Sequence, residues 1–288
     1  MSLRSRRLYN TVMMASIFLR AYKNWPRIMF MSTRWEYPSK INGKLRNGGA
    51  VWLRNRNQAS LDAFQEIGIL ELKINLEGDV VSFNYDGRRV TLYGGFKDGD
   101  IPGIFFLRQY SALDVTGGTV IDVGANIGDS AIFFALSGAK KVVAIEPYPS
   151  TYETLVRNID ANGLASLIKP INSAISNSRG HLKLEAEIDS TLSVKAHTSE
   201  TGMEVESLTL QDILNLPGLE PPCFLKMDCE GCEFEVFGSL DERLIDMFQR
   251  MMIEYHSEEI EPILSKLKGY SVSVSGKKKG IIYATKKK

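Results

Sequence analysis

The sequence is poor in cysteine and histidine, with 3 of each among 288 residues. The three cysteines, Cys223, Cys229 and Cys232, are an odd number crowded into ten positions. This excludes a disulfide-stapled secreted domain and fits a reducing cytoplasm. Cys229 and Cys232 form a lone C-x-x-C. Because no second pair accompanies it, we predict cysteines that pack in the core rather than a zinc or redox site.

Long hydrophobic runs are also missing. The main candidate, the uncharged run Leu8–Leu19, has twelve residues, is interrupted by Asn10 and Thr11, and is closed by Arg20. A membrane-spanning helix needs about 20 apolar residues. No small-x-small cleavage site follows the run, so the sequence predicts neither a spanning helix nor a signal peptide. We therefore expect a cytoplasmic protein.

Acidic residues are nearly absent from both ends of the chain. Residues 1–60 hold twelve Lys and Arg against the single acid Glu36, and residues 266–288 hold eight Lys and no acid. The net charge of +1 therefore combines basic ends with an acidic body. We interpret residues 1–60 as a basic arm, an amphipathic helix plus linker. This arm either packs on the rest of the protein or makes a peripheral contact with a membrane or another anionic surface. The sequence carries no signal for an oligomeric state.

The composition is that of a globular protein, with 44% hydrophobic and 24% charged residues, which excludes wholesale disorder. Residues 61–109 form a predicted β-rich lead-in, where strand-like runs flank the hairpin signal Asp86-Gly87. From residue 110, short apolar runs alternate with helical stretches, which indicates strand-helix-strand units around a parallel sheet. Five of these runs are predicted to be buried strands: Thr119–Val123, Val142–Glu146, Leu167–Ile171, Phe224–Asp228 and Met251–Tyr255.

Acidic residues stand at or near the ends of these strands, at Asp122, Glu146, Asp228 and Glu254. In open parallel sheets ligands bind at the carboxyl ends of the strands, so we expect these acids to converge on one crevice. The chain closes with two strand-like runs around Gly276–Gly280, which is typical of an antiparallel hairpin at a sheet edge. We interpret its lysine turn as a solvated loop.

A glycine-containing turn within Val120–Ser130 follows the first of these strands and opens a helix. Gly124 permits a tight turn, and Gly128 permits close packing of helix and strand. A dinucleotide fingerprint needs a glycine where this sequence has Asn126, because backbone amides must approach the pyrophosphate. The turn therefore favours a nucleoside ligand without phosphate, such as S-adenosylmethionine. Glu146 suits the ribose hydroxyls of both S-adenosylmethionine and a dinucleotide, so this residue does not distinguish between the two cofactors.

Longer segments resemble one family. Val120–Ala135, Gly138–Val142 and Ile145–Pro149 are similar to the FkbM family of S-adenosylmethionine-dependent methyltransferases. Leu225–Glu233 resembles that family's K-x-D-x-E-G-x-E motif, and Asn172–Ser176 resembles its N-x-A-x-S segment.

The resemblance covers residues 110–288, which we take as the methyltransferase domain that follows the arm and the lead-in. It implies an α/β, class I (Rossmann-like) methyltransferase fold, with a mostly parallel seven-stranded sheet and a terminal antiparallel hairpin. It also implies S-adenosylmethionine as cofactor and a hydroxyl of a small molecule or glycan as acceptor. The cofactor-binding residues implied are Asp122, Gly124, Asn126 and Gly128 at the methionine end, Glu146 at the ribose, and Asn172, Ala174 and Ile175 near the adenine.

A hydroxyl acceptor must lose a proton during methyl transfer, and the topology gathers four candidate bases beside the methyl group. These are Asp228, Glu230, Glu254 and His256. We favour His256 because the unperturbed pKa of imidazole is near neutrality. The same four groups have the chemistry of magnesium or manganese ligands. Because sequence alone does not show that they converge, we predict no metal. Glu233 and Glu235 are expected to face solvent at the start of the next helix.

Two other functions stay open on the sequence. A nicotinamide-dependent oxidoreductase would use a similar fold, although Asn126 disfavours a dinucleotide. A non-enzymatic recruitment module would use the basic arm of residues 1–60 to bind an anionic partner.

Overall fold

The structure, a computed structural model, describes residues 19, 22–23, 25–26, 41–44, 50–53, 73–75, 80–94, 100–106, 108–184, 202–276 and 278–287. Almost all of the predicted arm helix lies outside these residues, so that helix and its anionic contact stay predictions. Among the described residues, no helix is both long enough and apolar enough to cross a membrane.

The chain divides into two compact units. One comprises Met1–Thr91 and Ile101–Leu107, and the other comprises Leu92–Asp100 and Arg108–Lys288. The three-part division at residues 60 and 109 stays a prediction.

Small sheets and a π-helix, Pro102–Phe106, make up most of the described part of the first unit. β1 (Ile41–Lys44) pairs antiparallel with β2 (Ala50–Leu53). A three-stranded sheet contains β3 (Lys73–Asn75), β4 (Val80–Tyr85) and β5 (Arg88–Tyr93), the last of which ends in the second unit. Asp86 and Gly87 join β4 to β5 with φ angles of 45° and 78°. Two successive positive φ angles are the geometry that Asp-Gly hairpins favour, so the predicted hairpin is confirmed.

The second unit alternates strands and helices, with a short 3-10 turn at Ser111–Leu113 before the first strand. Its elements, in chain order, are β6 (Thr119–Val123), α1 (Asp129–Leu136), β7 (Lys141–Ile145), α2 (Pro149–Ala161), β8 (Ile168–Ile171), β9 (Ala174–Ile175), β10 (Gly180–Leu184), β11 (Met203–Leu208), α3 (Leu210–Leu214), β12 (Cys223–Met227), α4 (Glu233–Ser239), α5 (Glu242–Ile245), β13 (Phe248–Tyr255), α6 (Glu261–Lys266), β14 (Tyr270–Gly276) and β15 (Gly280–Lys286).

A seven-stranded sheet organises this unit, in the order β14-β15-β13-β12-β6-β7-β8. β13, β12, β6, β7 and β8 are parallel, whereas β15 runs antiparallel to β13 and β14 antiparallel to β15. This confirms the five predicted strands and the terminal hairpin. A separate small sheet has the order β10-β11-β9.

The central pair of this sheet, β6 and β12, is buried along both strands. Continuous apolar runs are typical of parallel strands covered on both faces. In the register of this pair Lys226 lies opposite Asp122, and Met227 lies opposite Val123. Because the two strands end together, Gly124 and Asp228 follow them side by side. The fold thereby joins the glycine turn to the loop after β12.

Asn158 of α2 holds the glycine turn from inside the protein. Its Oδ1 accepts a hydrogen bond from the backbone N–H of Tyr93 at 2.7 Å. Its Nδ2 donates to the carbonyl oxygens of Tyr93 at 3.0 Å and of Ile127 at 2.8 Å. The side chain is fully buried. Since Ile127 lies between Asn126 and Gly128, this amide fixes the backbone of the turn.

Candidate active site

The turn between β6 and α1 requires glycine at two positions. Gly124 has a φ of 74°, and a Cβ there would clash with the backbone carbonyl oxygen of Asp228. Gly128 has a φ of 89°, and a Cβ there would clash with the side chain of Leu155 on α2. Gly128 therefore allows close packing against a helix, whereas we expected it to serve the contact of helix and strand. Asn126, between the two, is itself left-handed, with a φ of 48°.

Glu146 follows β7 and is held against this turn. Its Oε2 accepts the backbone N–H of Asn126 at 3.0 Å. Its Oε1 accepts the backbone N–H of Tyr148 at 3.0 Å. Two backbone amides therefore fix the plane of the carboxylate beside the turn.

Asn172 supports the same strand end. Its Nδ2 donates to the carbonyl oxygens of Glu146 at 2.9 Å and of Pro147 at 3.0 Å. Ala174 and Ile175 form β9 and are buried. Of the three residues expected at the adenine, the structure thus places Asn172 in contact with Glu146. Their contact with a cofactor stays a prediction.

A buried ion pair lies beneath the turn. Lys226 Nζ is 3.3 Å from Asp122 Oδ1 and donates to the carbonyl oxygen of Gly124 at 2.7 Å. The other carboxylate oxygen, Asp122 Oδ2, accepts the hydroxyl of Ser130 at 2.6 Å. Burial lowers the pKa of the Lys226 ammonium, but Asp122, Tyr110 and other neighbouring acids more than offset this, so the pKa is raised and the ammonium stays charged. Asp122 is therefore committed to holding the turn.

The sequence analysis names Lys226 only as the lysine of the K-x-D-x-E-G-x-E motif and misses its ion pair with Asp122. The signal was present, because a lysine inside an apolar strand must find an acid when the strand is buried. Asp122 occupies the matching place in the first predicted strand, two residues before Gly124. Only the pairing of β6 with β12 shows that the two residues are opposite each other.

The loop after β12 and the end of β13 bring together what we call the carboxylate–histidine cluster: Asp228, Glu230, Glu233, Glu254 and His256. His256 Nε2 lies 3.1 Å from Glu230 Oε2 and 3.7 Å from Glu254 Oε1. His256 Nδ1 lies 3.9 Å from Glu233 Oε1. The 3.1 Å approach lacks hydrogen-bond geometry, and neither ring nitrogen has a hydrogen-bond partner. The four side chains predicted as candidate bases do lie close together.

Glu233 corrects the sequence analysis. We expected it to face solvent, but its side chain is fully buried, because α4 turns this residue inward. Its Oε1 accepts the backbone N–H of Cys229 at 3.2 Å. Burial raises the pKa of Glu233 to about 7. Glu235 is exposed, as predicted.

Glu230 is held in a strained backbone conformation, with a φ of 55°. Burial raises the pKa of its carboxyl, and His256 opposes that rise. The residue lies inside the loop that Cys229 and Cys232 close.

Cys229 and Cys232 form a disulfide, with their Cα atoms 5.6 Å apart. The prediction that they are packing cysteines is therefore wrong, because the tight turn around Glu230 and Gly231 brings the two sulfurs together. Cys223 is a buried free thiol, as predicted.

The lysine turn between β14 and β15 is only partly the solvated loop we expected. Lys278 pairs with Glu258 at the surface. Lys279 reaches the carboxylate–histidine cluster instead, with its Nζ 3.0 Å from Glu254 Oε1. The terminal hairpin thus supplies a positive charge to the cluster.

The four acids that we expected in one crevice lie at three neighbouring places in the structure. Asp228 and Glu254 belong to the cluster, Glu146 faces the glycine turn, and Asp122 lies beneath that turn. The backbone N–H of Asp228 donates to the carbonyl oxygen of Val123 at 3.0 Å, which joins the cluster to the turn.

A family model described as the methyltransferase FkbM domain matches residues 122–272, which contain both halves of this site. The chain belongs to the FkbM methyltransferase family. The predicted class I, Rossmann-like methyltransferase fold is confirmed by this match together with the strand order.

Two curated relatives are methyltransferases by name. Methyltransferase sdnD of Sordaria araneosa is 28% identical over 191 residues, covering 54% of this chain and 74% of that protein. Hexuronic acid methyltransferase AglP of Haloferax volcanii is 25% identical over 151 residues, covering 51% of this chain and 61% of that protein. The match therefore spans less than two thirds of AglP.

Solved structures are similar at a lower level. TrmK of M. capricolum, in complex with S-adenosylhomocysteine, has 11% identity and a TM-score of 0.39, covering 63% of this chain and 68% of that chain. Trm5b of Pyrococcus abyssi has 15% identity and a TM-score of 0.41, covering 85% of this chain and 61% of that chain. At these TM-scores the fold assignment rests on the strand order and the family match.

The buried ion pair generates a stability prediction. The substitution Lys226→Met removes the ammonium and leaves the charge of Asp122 buried and unpaired. We therefore expect the free energy of unfolding to fall by about 3–5 kcal/mol. The double variant with Asp122→Asn removes both charges and should lose less than the sum of the single variants. Urea unfolding of the three variants measures this coupling. Lys140→Met, which breaks an exposed pair with Glu220, is the control and should cost about 1 kcal/mol or less. Additive losses would contradict a direct pair.

A second prediction concerns Asp129, the first residue of α1, which accepts the backbone N–H groups of Asp100 and Ser130. Burial raises its pKa from 3.8 to about 6. Between these values the folded state keeps a proton that the unfolded chain releases, so the free energy of unfolding falls as pH rises and levels off above the folded pKa. Relative to Asp129→Asn, the unchanged protein should lose on the order of 2–3 kcal/mol between pH 4 and pH 7. Urea unfolding of both proteins across this pH range measures the difference. The same pH dependence of the free energy of unfolding in the two proteins would refute the titration of Asp129.

Proposed function

We propose that this protein is an S-adenosylmethionine-dependent O-methyltransferase that acts on a hydroxyl of a small molecule or sugar. The observation that carries the proposal is the adjacency of two sites: a glycine turn with an oriented glutamate, and the carboxylate–histidine cluster. They meet where Gly124 packs against the backbone of Asp228. A cofactor held at the first site would therefore present its reactive group to the second.

The residues at the glycine turn fit such a cofactor. Gly124 and Gly128 let the turn pack closely against Asp228 and Leu155, where any Cβ would clash, and this packing fixes the shape of the turn. Asn126 places a side chain where a pyrophosphate would need bare backbone, which disfavours a dinucleotide. In our proposal the turn from Gly124 to Gly128 holds the methionine end, and Asp122 acts through Lys226 to hold the turn. Glu146 takes the ribose hydroxyls, and Asn172, Ala174 and Ile175 line the adenine.

The carboxylate–histidine cluster suits the acceptor. The bound cofactor supplies an electrophilic methyl group, so the protein must align the acceptor oxygen and remove its proton. In our proposal the acceptor hydroxyl lies against Asp228, Glu230, Glu254 and His256. Among these, His256 is the base we predict, since imidazole is the most common general base in enzymes and its ring nitrogens lie among the other carboxylates of the cluster.

Sugar acceptors are the first class to test. AglP is named as a hexuronic acid methyltransferase, and it is 25% identical to this chain over 151 residues. Hexoses and hexuronic acids, offered with radiolabelled S-adenosylmethionine, make a direct acceptor panel. A methyl ether survives mild alkali, a methyl ester releases methanol, and a methylated amine keeps its label on nitrogen. Label found only on nitrogen would overturn the proposal of O-methylation.

Cofactor binding tests the proposal before any acceptor is known. Calorimetric titration with S-adenosylmethionine and S-adenosylhomocysteine should give saturable binding, and titration with NADH should give none. Glu146→Ala should weaken adenosyl binding at least tenfold, because the oriented carboxylate is lost. Glu153→Ala, an exposed glutamate of α2, is the matched control and should bind normally. Binding of NADH alone, or of none of the three, would overturn the assignment.

The role of the cluster predicts a separation of kinetic effects. We expect His256→Gln to lower kcat about 10²–10⁴-fold, the usual contribution of a positioned acid or base, with the dissociation constant for S-adenosylhomocysteine unchanged. Methylation of the best acceptor from the panel measures kcat, and calorimetry measures the affinity. His181→Gln, in exposed β10, is the control. An unchanged kcat in His256→Gln would remove the imidazole from the reaction.

A further inference from the structure

Buried polar atoms without partners are concentrated in the carboxylate–histidine cluster. Among the described residues, five buried side-chain nitrogen and oxygen atoms lack a hydrogen-bond partner. One of them, Asp122 Oδ1, faces the ammonium of Lys226 at 3.3 Å. The other four are Asp228 Oδ1, Glu233 Oε2, His256 Nδ1 and His256 Nε2. A buried polar atom without a partner is unfavourable, so four such atoms in three residues of one cluster indicate a ligand.

We propose that Asp228, Glu254 and His256 bind a divalent cation of the magnesium or manganese type. One ligand atom from each residue lies within 4.8 Å of the others. An octahedral ion with bonds of about 2.1 Å holds its ligand atoms about 3–4 Å apart, so small side-chain movements close the site. Two carboxylates and one imidazole are a donor set that suits these ions.

The surroundings of His256 fit a metal-ligating histidine. Such a residue usually presents its second ring nitrogen to a carboxylate, which fixes the tautomer. Here Nδ1 faces Oε1 of the fully buried Glu233 at 3.9 Å. Nε2 is then directed to the ligand side, 3.7 Å from Glu254 Oε1.

The charge of the cluster favours a cation. Four carboxylates, from Asp228, Glu230, Glu233 and Glu254, surround a single imidazole. Lys279 pairs with Glu254 at 3.0 Å, but its side chain is 57% exposed. An exposed ammonium contributes little binding energy, so a divalent ion can displace it from Glu254.

The inferred ion deepens the proposed function and, for its role in the reaction, rests on it. Held beside Gly124, the ion would polarise the acceptor oxygen and ease loss of its proton. In the metal-free protein His256 is the proposed base, whereas with the ion bound His256 serves as a ligand and Glu230 takes the proton. The acceptor O–H bond breaks with its proton passing to Glu230, the O–C bond to the methyl group forms, and the methyl–sulfur bond breaks to leave a thioether.

Manganese provides a probe that needs no acceptor. Titration of the untagged full chain with Mn²⁺, followed by electron paramagnetic resonance, should show one saturable site that Mg²⁺ competes for. Pulsed measurements on the bound Mn²⁺ should show coupling to ¹⁴N, and His256→Gln should abolish that coupling. Absence of saturable binding below about millimolar Mn²⁺, or bound Mn²⁺ without nitrogen coupling, would overturn the inference.

Substitutions of the proposed ligands and of neighbouring charged residues test the site further. Asp228→Asn and Glu254→Gln should each weaken Mn²⁺ binding at least tenfold. Glu258→Gln, which removes an exposed carboxylate from the same loop, is the matched control and should bind normally. Lys279→Gln should bind Mn²⁺ more tightly, because a competing positive charge is gone. This gain cannot come from misfolding. Equal affinity in all these variants would show that Mn²⁺ binds to other surface carboxylates and would overturn the inference.

Calorimetry with S-adenosylhomocysteine on the same samples separates this inference from the proposed function. Cofactor binding without Mn²⁺ binding would overturn the metal site and leave the methyltransferase proposal intact. Mn²⁺ binding without cofactor binding would support the metal site and overturn the proposal for the glycine turn.

Discussion

The parallel pairing of β6 with β12, and the buried ion pair across it, is the constraint on which the site depends. Asp122 and Lys226 are opposite each other in this register, and the ammonium also reaches the carbonyl oxygen of Gly124. A shift of one strand by a single residue would bury both charges without partners. The ion pair therefore specifies the register, and the register places the glycine turn beside the loop that carries Asp228.

The sequence predicted those parts of the fold that depend on local patterns. The buried strands appear as apolar runs, and Asp86-Gly87 marks a hairpin because few other dipeptides adopt two positive φ angles. The glycine turn was predicted because Gly124 permits a tight turn between a strand and a helix. In the structure Gly124 also accommodates a neighbouring backbone. That neighbour, Asp228, could not be named from the sequence, since 104 positions separate the two residues. Contacts across the sheet follow from strand order, which local patterns do not contain.

Errors in the sequence analysis arose where a residue's environment comes from distant elements. Glu233 has the position of a solvated acid in the first turn of a helix, yet the fold turns it toward His256. The sulfurs of Cys229 and Cys232 meet because Glu230 and Gly231 adopt positive φ angles. A C-x-x-C on its own does not reveal that turn. Lys279 was assigned to a loop on composition, and only the pairing of β15 with β13 brings it near Glu254.

A substitution at Lys279 changes the charge of the carboxylate–histidine cluster with little effect on the stability of the fold. The carboxylates sit at the ends of buried strands and in a tight loop, where substitutions disturb packing. The ammonium comes from an exposed turn at the sheet edge, where most substitutions change stability by less than about 0.5 kcal/mol. Proteins with the same core can therefore differ in the electrostatic potential at the carboxylate–histidine cluster through this turn alone. If the proposed function holds, acceptor preference can change through this turn while the glycine turn stays unchanged.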